Sequence, residues 1–292
     1  MFYNSLYQDK KSKASVAALV ALTPSESRRL LAKAVAVLPE VKQAMEKGLL
    51  VIARGSTNAF VAEEIMGITI EKKADEYCRG FIVDGELHAN RKPHTERSIG
   101  YDFVLRRGRL EEIDFQEVMK DFTADDVFIK GANAIDNTGE AGVLAAGTAA
   151  GTIGKAMPSV SLVAAHLIVP VGLEKLVPSV AKASRSCGIF HFKYSTGLPC
   201  ALIPIINAEV VTEIQAFEVL AGVGVTHVAS GGIGGSEGTV VLSLNGSETA
   251  IEKAFKLVRA IKGESAVEHP SGKIQLSASL DYNPIALRNT LS

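Results

Sequence analysis

VIARGSTNAFVAEEI, residues 51–65, opens on an apolar pair, turns through Arg54-Gly55-Ser56-Thr57-Asn58 and closes on helix-forming residues. A buried strand, a Gly-bearing turn and a helix make the repeating unit of a parallel α/β sheet, so this stretch decides the fold. Gly55 is expected to let the chain turn tightly, and Ser56 and Thr57 to carry hydroxyls to where the new helix presents unpaired N–H groups. Those N–H groups and the helix dipole attract an anion, and Arg54 would add a bidentate charge. The same residues serve equally well as an N-cap with no ligand. The Gly-Lys-Ser/Thr ending of a P-loop is missing.

The surrounding composition suits that reading. Of 292 residues, 47% are hydrophobic and 22% charged, which permits a substantial core. Trp is absent while Ala, Val, Gly and Ile abound, as buried parallel strands require. A formal net charge of −1 gives no global field toward nucleic acid, so no nucleic-acid partner is expected. No apolar run approaches the ~20 residues of a bilayer crossing, so no membrane role is expected. Cys78, Cys187 and Cys200 form no paired motif, and the N-terminus is not signal-like, so the reading is a reduced cytoplasmic protein.

Outward from the opening stretch, Thr23-Pro24-Ser25-Glu26 predicts a capped helix leading to the strand LLVIA, and Gly67 closes the helix NAFVAEEIMG. Residues 68–120 alternate like strands around Asp84–Gly85 and Arg107–Gly108, an antiparallel excursion or lid. DDVFIKGANAID restores the parallel pattern. AGVLAAGTAAGTIGKAM reads as a small-residue helix or loop, AAHLIVPVG as a strand and LEKLVPSVAKA as a helix. After about residue 200 the run ALIPIINAEVV, TEIQAFEVLAGVG, THVASGG, GTVVLSLNG and SETAIEKAFKLVRAIKG reads as βαββα, with KIQLSASL as a last strand. The expectation is an α/β domain over residues 1–200, with a mostly parallel sheet covered by helices on both faces. A smaller ferredoxin-like α+β domain is expected over 201–292.

Three further stretches carry candidate chemistry. In FIKGANAIDNTGEAG, residues 128–142, a buried strand ends in Lys130–Gly131, with Asn133, Asp136 and Asn137 in the turn beyond. Ligands of parallel sheets lie outside the carboxyl ends of strands, where this turn and the 54–58 turn both fall. Asp136 is the candidate general base and Lys130 its cationic partner; alternatively Asn and Asp only hold the turn. In AAGTAAGTIG, Gly147 and Thr148 permit close approach to a ligand, or equally tight helix packing. In ASGGIGGSEGTVV, five glycines and Glu237 join two strands. The histidines show no metal-ligand spacing, so neither a metal nor a cofactor is expected. Arg91, Lys92 and Arg97 with His88 and His94 make a local basic cluster, more often a solvated loop than a lid over an anion. Cys78 and Cys187 read more readily as buried small apolar residues than as nucleophiles.

Taken in order, these stretches resemble the superfamily of ribose-5-phosphate isomerase, glucosamine-6-phosphate deaminase and the CoA-transferases. ARGSTNAF resembles its Gly-Ser-Thr phosphate loop, and DDVFIKGANAIDNTG its Gly-Ala-Asp-type turn. HLIVPVGLEKLV is similar to the strand that follows, which would make Lys175 a phosphate ligand. The resemblance covers about residues 25–185. It implies that the chain binds a phosphorylated small metabolite through Arg54, Gly55, Ser56, Thr57, Asn58, Gly131, Asn133, Gly147, Thr148 and Lys175. Departures weigh against ribose-5-phosphate isomerase itself. Lys130 and Asn133 stand where a sugar isomerase carries acids, and LAAGTAAG replaces its lysine-bearing glycine stretch. A proton-transfer isomerisation with Asp136 as base and Lys130 as electrostatic partner is expected. A non-catalytic ligand-sensing module is the first alternative and acyl transfer through Glu237, as in CoA-transferases, the second. An Ala- and Gly-rich α/β chain with an exposed glycine-rich hairpin is also expected to form a homo-oligomer.

Overall fold

The computed structural model describes residues 15–89 and 102–271. The chain begins with β1 (Val16–Leu22) and α1 (Pro24–Val37), whose start is the predicted capping box: Thr23 accepts from the Glu26 amide while the Glu26 carboxylate accepts from the Thr23 amide. Next come α2 (Pro39–Lys47), β2 (Leu49–Ile52) and α3 (Ser56–Met66), which ends on Gly67 in the left-handed region at φ 65°. A short α4 (Lys73–Tyr77) precedes two hairpins, β3 (Gly80–Val83) with β4 (Glu86–Ala89), and β5 (Phe103–Arg106) with β6 (Arg109–Glu111). Both turn through two residues of positive φ, Asp84–Gly85 and Arg107–Gly108, the geometry that matches strand twist.

Beyond α5 (Phe115–Val118) lie β7 (Val127–Ile129), β8 (Ala134–Ile135), β9 (Ala141–Ala145), α6 (Gly151–Leu162) and β10 (His166–Pro170). Then follow α7 (Val180–Arg185), β11 (Ala201–Ile205), β12 (Glu209–Val211), α8 (Glu213–Ala221), β13 (Gly224–Ser230), β14 (Val240–Gly246) and α9 (Glu248–Ile261).

The central sheet is mixed, with six strands in the order β12-β10-β7-β2-β5-β6. The first four are parallel, and β5 and β6 extend it antiparallel. Alternate strand residues feed two cores. Leu50, Ile52, Val127, Ile129 and Ile168 pack with α1, α3 and α8, whereas Leu49, Val51, Phe128, Leu167 and Val169 pack with α5 and α6.

Several expectations need correction. AGVLA is a strand rather than helix or loop, paired antiparallel with ALIPI; its Gly142 leaves only 3.0 Å for a Cβ against Leu202. ALIPIINAEVV is two strands in different sheets, β11 beside β9 and β12 beside β10, divided where Asn207 takes φ 57°. LEKLVPSVAKA is broken at Pro178 into a 3₁₀ turn over Leu173–Lys175 and the short α7.

β13 and β14 form a sheet whose third strand is β1, from the opposite end of the chain, in seven antiparallel pairs from Val16↔Gly246 to Leu22↔Val240. The ferredoxin-like layout is therefore not completed among the described residues. The strand expected in KIQLSASL lies outside them, as do His94, Arg91, Lys92 and Arg97. Strand pairs and both apolar cores cross the boundary expected at residue 200.

Candidate functional site

The carboxyl ends of β2, β7 and β10 lie side by side, because the three strands pair in parallel and in near register. What leaves those ends is set by a few backbone bonds. The Ala53 amide donates to the Ile129 carbonyl (2.9 Å) and the Lys130 amide to the Ile168 carbonyl (3.0 Å). Asn58, fully buried in the first turn of α3, donates from Nδ2 to the carbonyls of Ala53 (2.6 Å) and Ile129 (3.2 Å). It therefore clamps β2 to β7, while its Oδ1 faces Gly131 and has no hydrogen-bond partner among the described residues.

At the start of α3 no side chain caps the helix, so Ser56 and Thr57 are helical residues and not an N-cap. Gly55 has φ 163°, extended backbone open to any residue, with open space where a side chain would stand. The tight-turn role expected of it is thus corrected. Arg54 turns to the side: its amide donates to Asp102 Oδ1 (2.7 Å), and its Nε stands 3.8 Å from the same oxygen without a hydrogen bond.

The cations meet at the next two strand ends. Lys175 Nζ donates to the Ala132 carbonyl (3.0 Å), tying the turn after β10 to the turn after β7, and stands 3.9 Å from Glu174 Oε1. Lys130 Nζ makes one long bond, 3.3 Å, to the Gly131 carbonyl. Lys130 is electrostatically coupled to Lys175, Asp102 and Cys78; Lys175 is coupled in turn to Arg28 of α1, Glu174, Glu213 and Cys78. Burial, reinforced by the neighbouring Lys175 charge, pulls the Lys130 amine down to about 8 despite Asp102. Burial likewise lowers Lys175. Arg28 Nε is buried with no hydrogen-bond partner among the described residues.

Two carboxyl groups complete the cluster. Glu213, at the first position of α8, is fully buried and accepts the Leu173 amide on Oε2 (2.9 Å), with the Ser27 hydroxyl beside it; Glu174 Oε2 has no hydrogen-bond partner among the described residues. Burial first, and then the adjacent Glu174 charge, raise the Glu213 carboxyl to about 7. The glycine-rich loop reaches the same edge of the sheet: a Cβ on Gly238 would lie 2.8 Å from Pro24 and 3.6 Å from Glu174. Its neighbour Glu237 is exposed.

Asp136 behaves differently from the expected base. Its Oδ1 accepts from the Thr138 hydroxyl (2.6 Å), the Thr138 amide (3.0 Å) and the Glu140 amide (3.2 Å), and its Oδ2 from the Val180 amide (2.9 Å). Burial opposes ionisation, but these bonds outweigh it and hold the carboxyl below the usual carboxylate range. It locks the turn and starts α7. Asn133 is also a turn residue, accepting the Leu144 amide (3.0 Å). Gly147 is exposed with open space around it. Cys78 is a buried thiol pushed up to about 12 by burial, so it is protonated beside the lysines.

Arg28, Glu174 and Glu213 were not singled out from sequence. Glu213 follows Thr212 in a Thr-x-x-Gln capping box and reads as an ordinary helix start, which locally it is. A groove of about 250 Å³ lies at the other end of the strands, lined by Lys47, Arg107, Asp121 and Asp125 among others. Its charges alternate in sign, and its buried Asp126 is spent on the amides of Leu49 and Thr123. The strand-end cluster is the better chemical candidate.

No family model, no curated protein and no solved structure matches the chain.

Proposed function

We propose that the chain binds a phosphorylated small metabolite at the carboxyl ends of β2, β7 and β10 and moves a proton on it, in an isomerisation of the sugar-phosphate kind. The observation that carries this is the convergence of Arg28, Lys130 and Lys175 at the strand ends, with Arg28 Nε buried and without a hydrogen-bond partner among the described residues. The three side chains are half-buried, and Lys175 already has Glu174 as a carboxylate neighbour, so an added anion would answer chiefly Arg28 and Lys130. The uncapped first turn of α3 adds N–H groups and a positive dipole end.

Proton transfer is best assigned to Glu213. A carboxyl titrating near neutrality is suited to both taking and giving a proton, whereas Asp136 is committed to four hydrogen bonds. The test is thermal denaturation with a series of sugar phosphates. Stabilisation is expected in wild type and loss of most of it in Lys175→Met. Equal melting shifts in the two proteins, or none in either, would refute the site.

Two other readings stay in view. Occupation of Asp136 by its own turn favours a sensing module without turnover; it predicts the same stabilisation, with no exchange of substrate C–H protons into D₂O by NMR. Acyl transfer through Glu237 is the third reading: the exposed Glu237 stands next to Gly238, whose backbone approaches Glu174. Hydroxylamine trapping of a Glu237 thioester separates that chemistry from the others.

A further inference from the structure

We propose that Lys130 acts as a covalent nucleophile, forming an imine with the carbonyl carbon of a phosphorylated aldehyde or ketone held at the strand ends. This rests on the phosphate-binding reading and adds to it the substrate's carbonyl group and a catalytic residue.

The geometry separates Lys130 from Lys175. Lys175 is engaged, with a 3.0 Å bond to the Ala132 carbonyl and a carboxylate 3.9 Å away. Among the described residues Lys130 holds only the 3.3 Å bond to its neighbour's carbonyl, and Asp102 acts on it as a neighbouring charge without forming an ion pair. It leaves the end of β7, between β2 and β10, at the middle of the parallel strands. The groups coupled to it are Asp102 from the segment before β5, Lys175 from the turn after β10, and Cys78 from the end of α4. Only the neutral amine attacks carbon. With the amine held at about 8 by burial and the Lys175 charge, far more of Lys130 is neutral near pH 7.5 than of an ordinary lysine. Desolvation beside a second cation is a known route to such an amine.

The step balances without an oxidant. The Nζ lone pair forms the C–N bond, the carbonyl π pair moves to oxygen, and a proton passes from nitrogen to that oxygen. The hydroxyl then takes one proton from solvent and leaves as water, while the nitrogen lone pair closes the C=N⁺ bond. The resulting iminium withdraws electrons from the adjacent carbon, which eases breaking of a C–H or C–C bond there.

The experiment incubates wild-type protein with dihydroxyacetone phosphate or glycolaldehyde phosphate and sodium cyanoborohydride, followed by intact-mass and peptide mass spectrometry. Expected is one adduct per chain, on Lys130, that excess inorganic phosphate suppresses and Lys130→Arg abolishes. Lys175→Met removes the like charge, so its adduct stays on Lys130 but forms several-fold more slowly at pH 7, with the midpoint of its pH profile displaced upward. An adduct spread over other lysines, or none at all, in a protein that phosphate still protects against heat overturns the imine and leaves the anion site intact. Failure of phosphate to protect the protein as well refutes the anion site, and the imine falls with it.

Discussion

Glu213 is the residue where function and stability pull apart. Its folded value near 7 lies above the 4.5 of an exposed glutamate, so ionisation opposes folding as pH rises from about 4.5 through 7. Glu213→Gln keeps an acceptor for the Leu173 amide and removes the charge. It is expected to melt like wild type near pH 5 and to be more stable at pH 8, by on the order of 2 kcal/mol, measured by denaturant titration at both values. Asp136 has the opposite sign: its depressed carboxyl stabilises the fold above the unfolded value of 3.8, and that contribution is lost as pH falls through the folded value. Asp136→Asn cannot accept all four bonds, and a loss of about 2 kcal/mol is expected with no change in phosphate binding. Sequence alone points to Asp136 because a carboxylate at a strand end is chemically conspicuous. What it hides is that Thr138, Glu140 and Val180 consume the lone pairs, two of them locally and one by tertiary contact. Lys130 and Lys175 were legible from their places after buried strands. Arg28 was not, since it comes from a helix whose face toward the site is set only by packing.

At the scale of elements, the 51–65 unit carries the fold, and its critical part is the Asn58 clamp between β2 and β7. Asn58→Ala removes two buried hydrogen bonds and leaves two carbonyls less well satisfied. It is expected to cost roughly 2–3 kcal/mol in chemical denaturation and to weaken sugar-phosphate binding through misplacement of the strand ends. The elements that read directly were those with local chemistry: the Thr23 capping box, Gly67 after α3, and the Asp84–Gly85 and Arg107–Gly108 hairpins. β9 was missed because Ala and Gly have little intrinsic preference for strand; its conformation comes from pairing with β11, some 60 residues away. The break at Asn207 that sends β12 to a different sheet from β11 is likewise a tertiary choice, with no Gly or Pro to mark it.

For the whole molecule, the pairing of β1 with β14 closes the chain on itself. The core beneath α1 draws on Val20, Leu22, Leu30 and Leu31 from one end and Phe217, Leu242, Leu244 and Ala254 from the other. Separate expression of residues 1–200 and 201–292 is therefore expected to give pieces that do not melt cooperatively, since each loses strand partners and half of a shared core. Two independently folding fragments would contradict this packing. That interleaving also brings the N-terminus of α1, the glycine-rich loop and the turn after β10 to one edge, so the cluster around Glu174 exists only in the assembled chain.

The measurement closest to the central claim is calorimetric titration of ribose 5-phosphate into wild type, Arg28→Ala and Lys175→Met, with unphosphorylated ribose as control. Loss of one charge-assisted contact at roughly 1.5–3 kcal/mol predicts a dissociation constant about 10- to 100-fold weaker in each variant, and no heat from ribose. Equal affinity in all three proteins, or equal heats from ribose and its phosphate, would contradict the claim that these half-buried cations bind the phosphate.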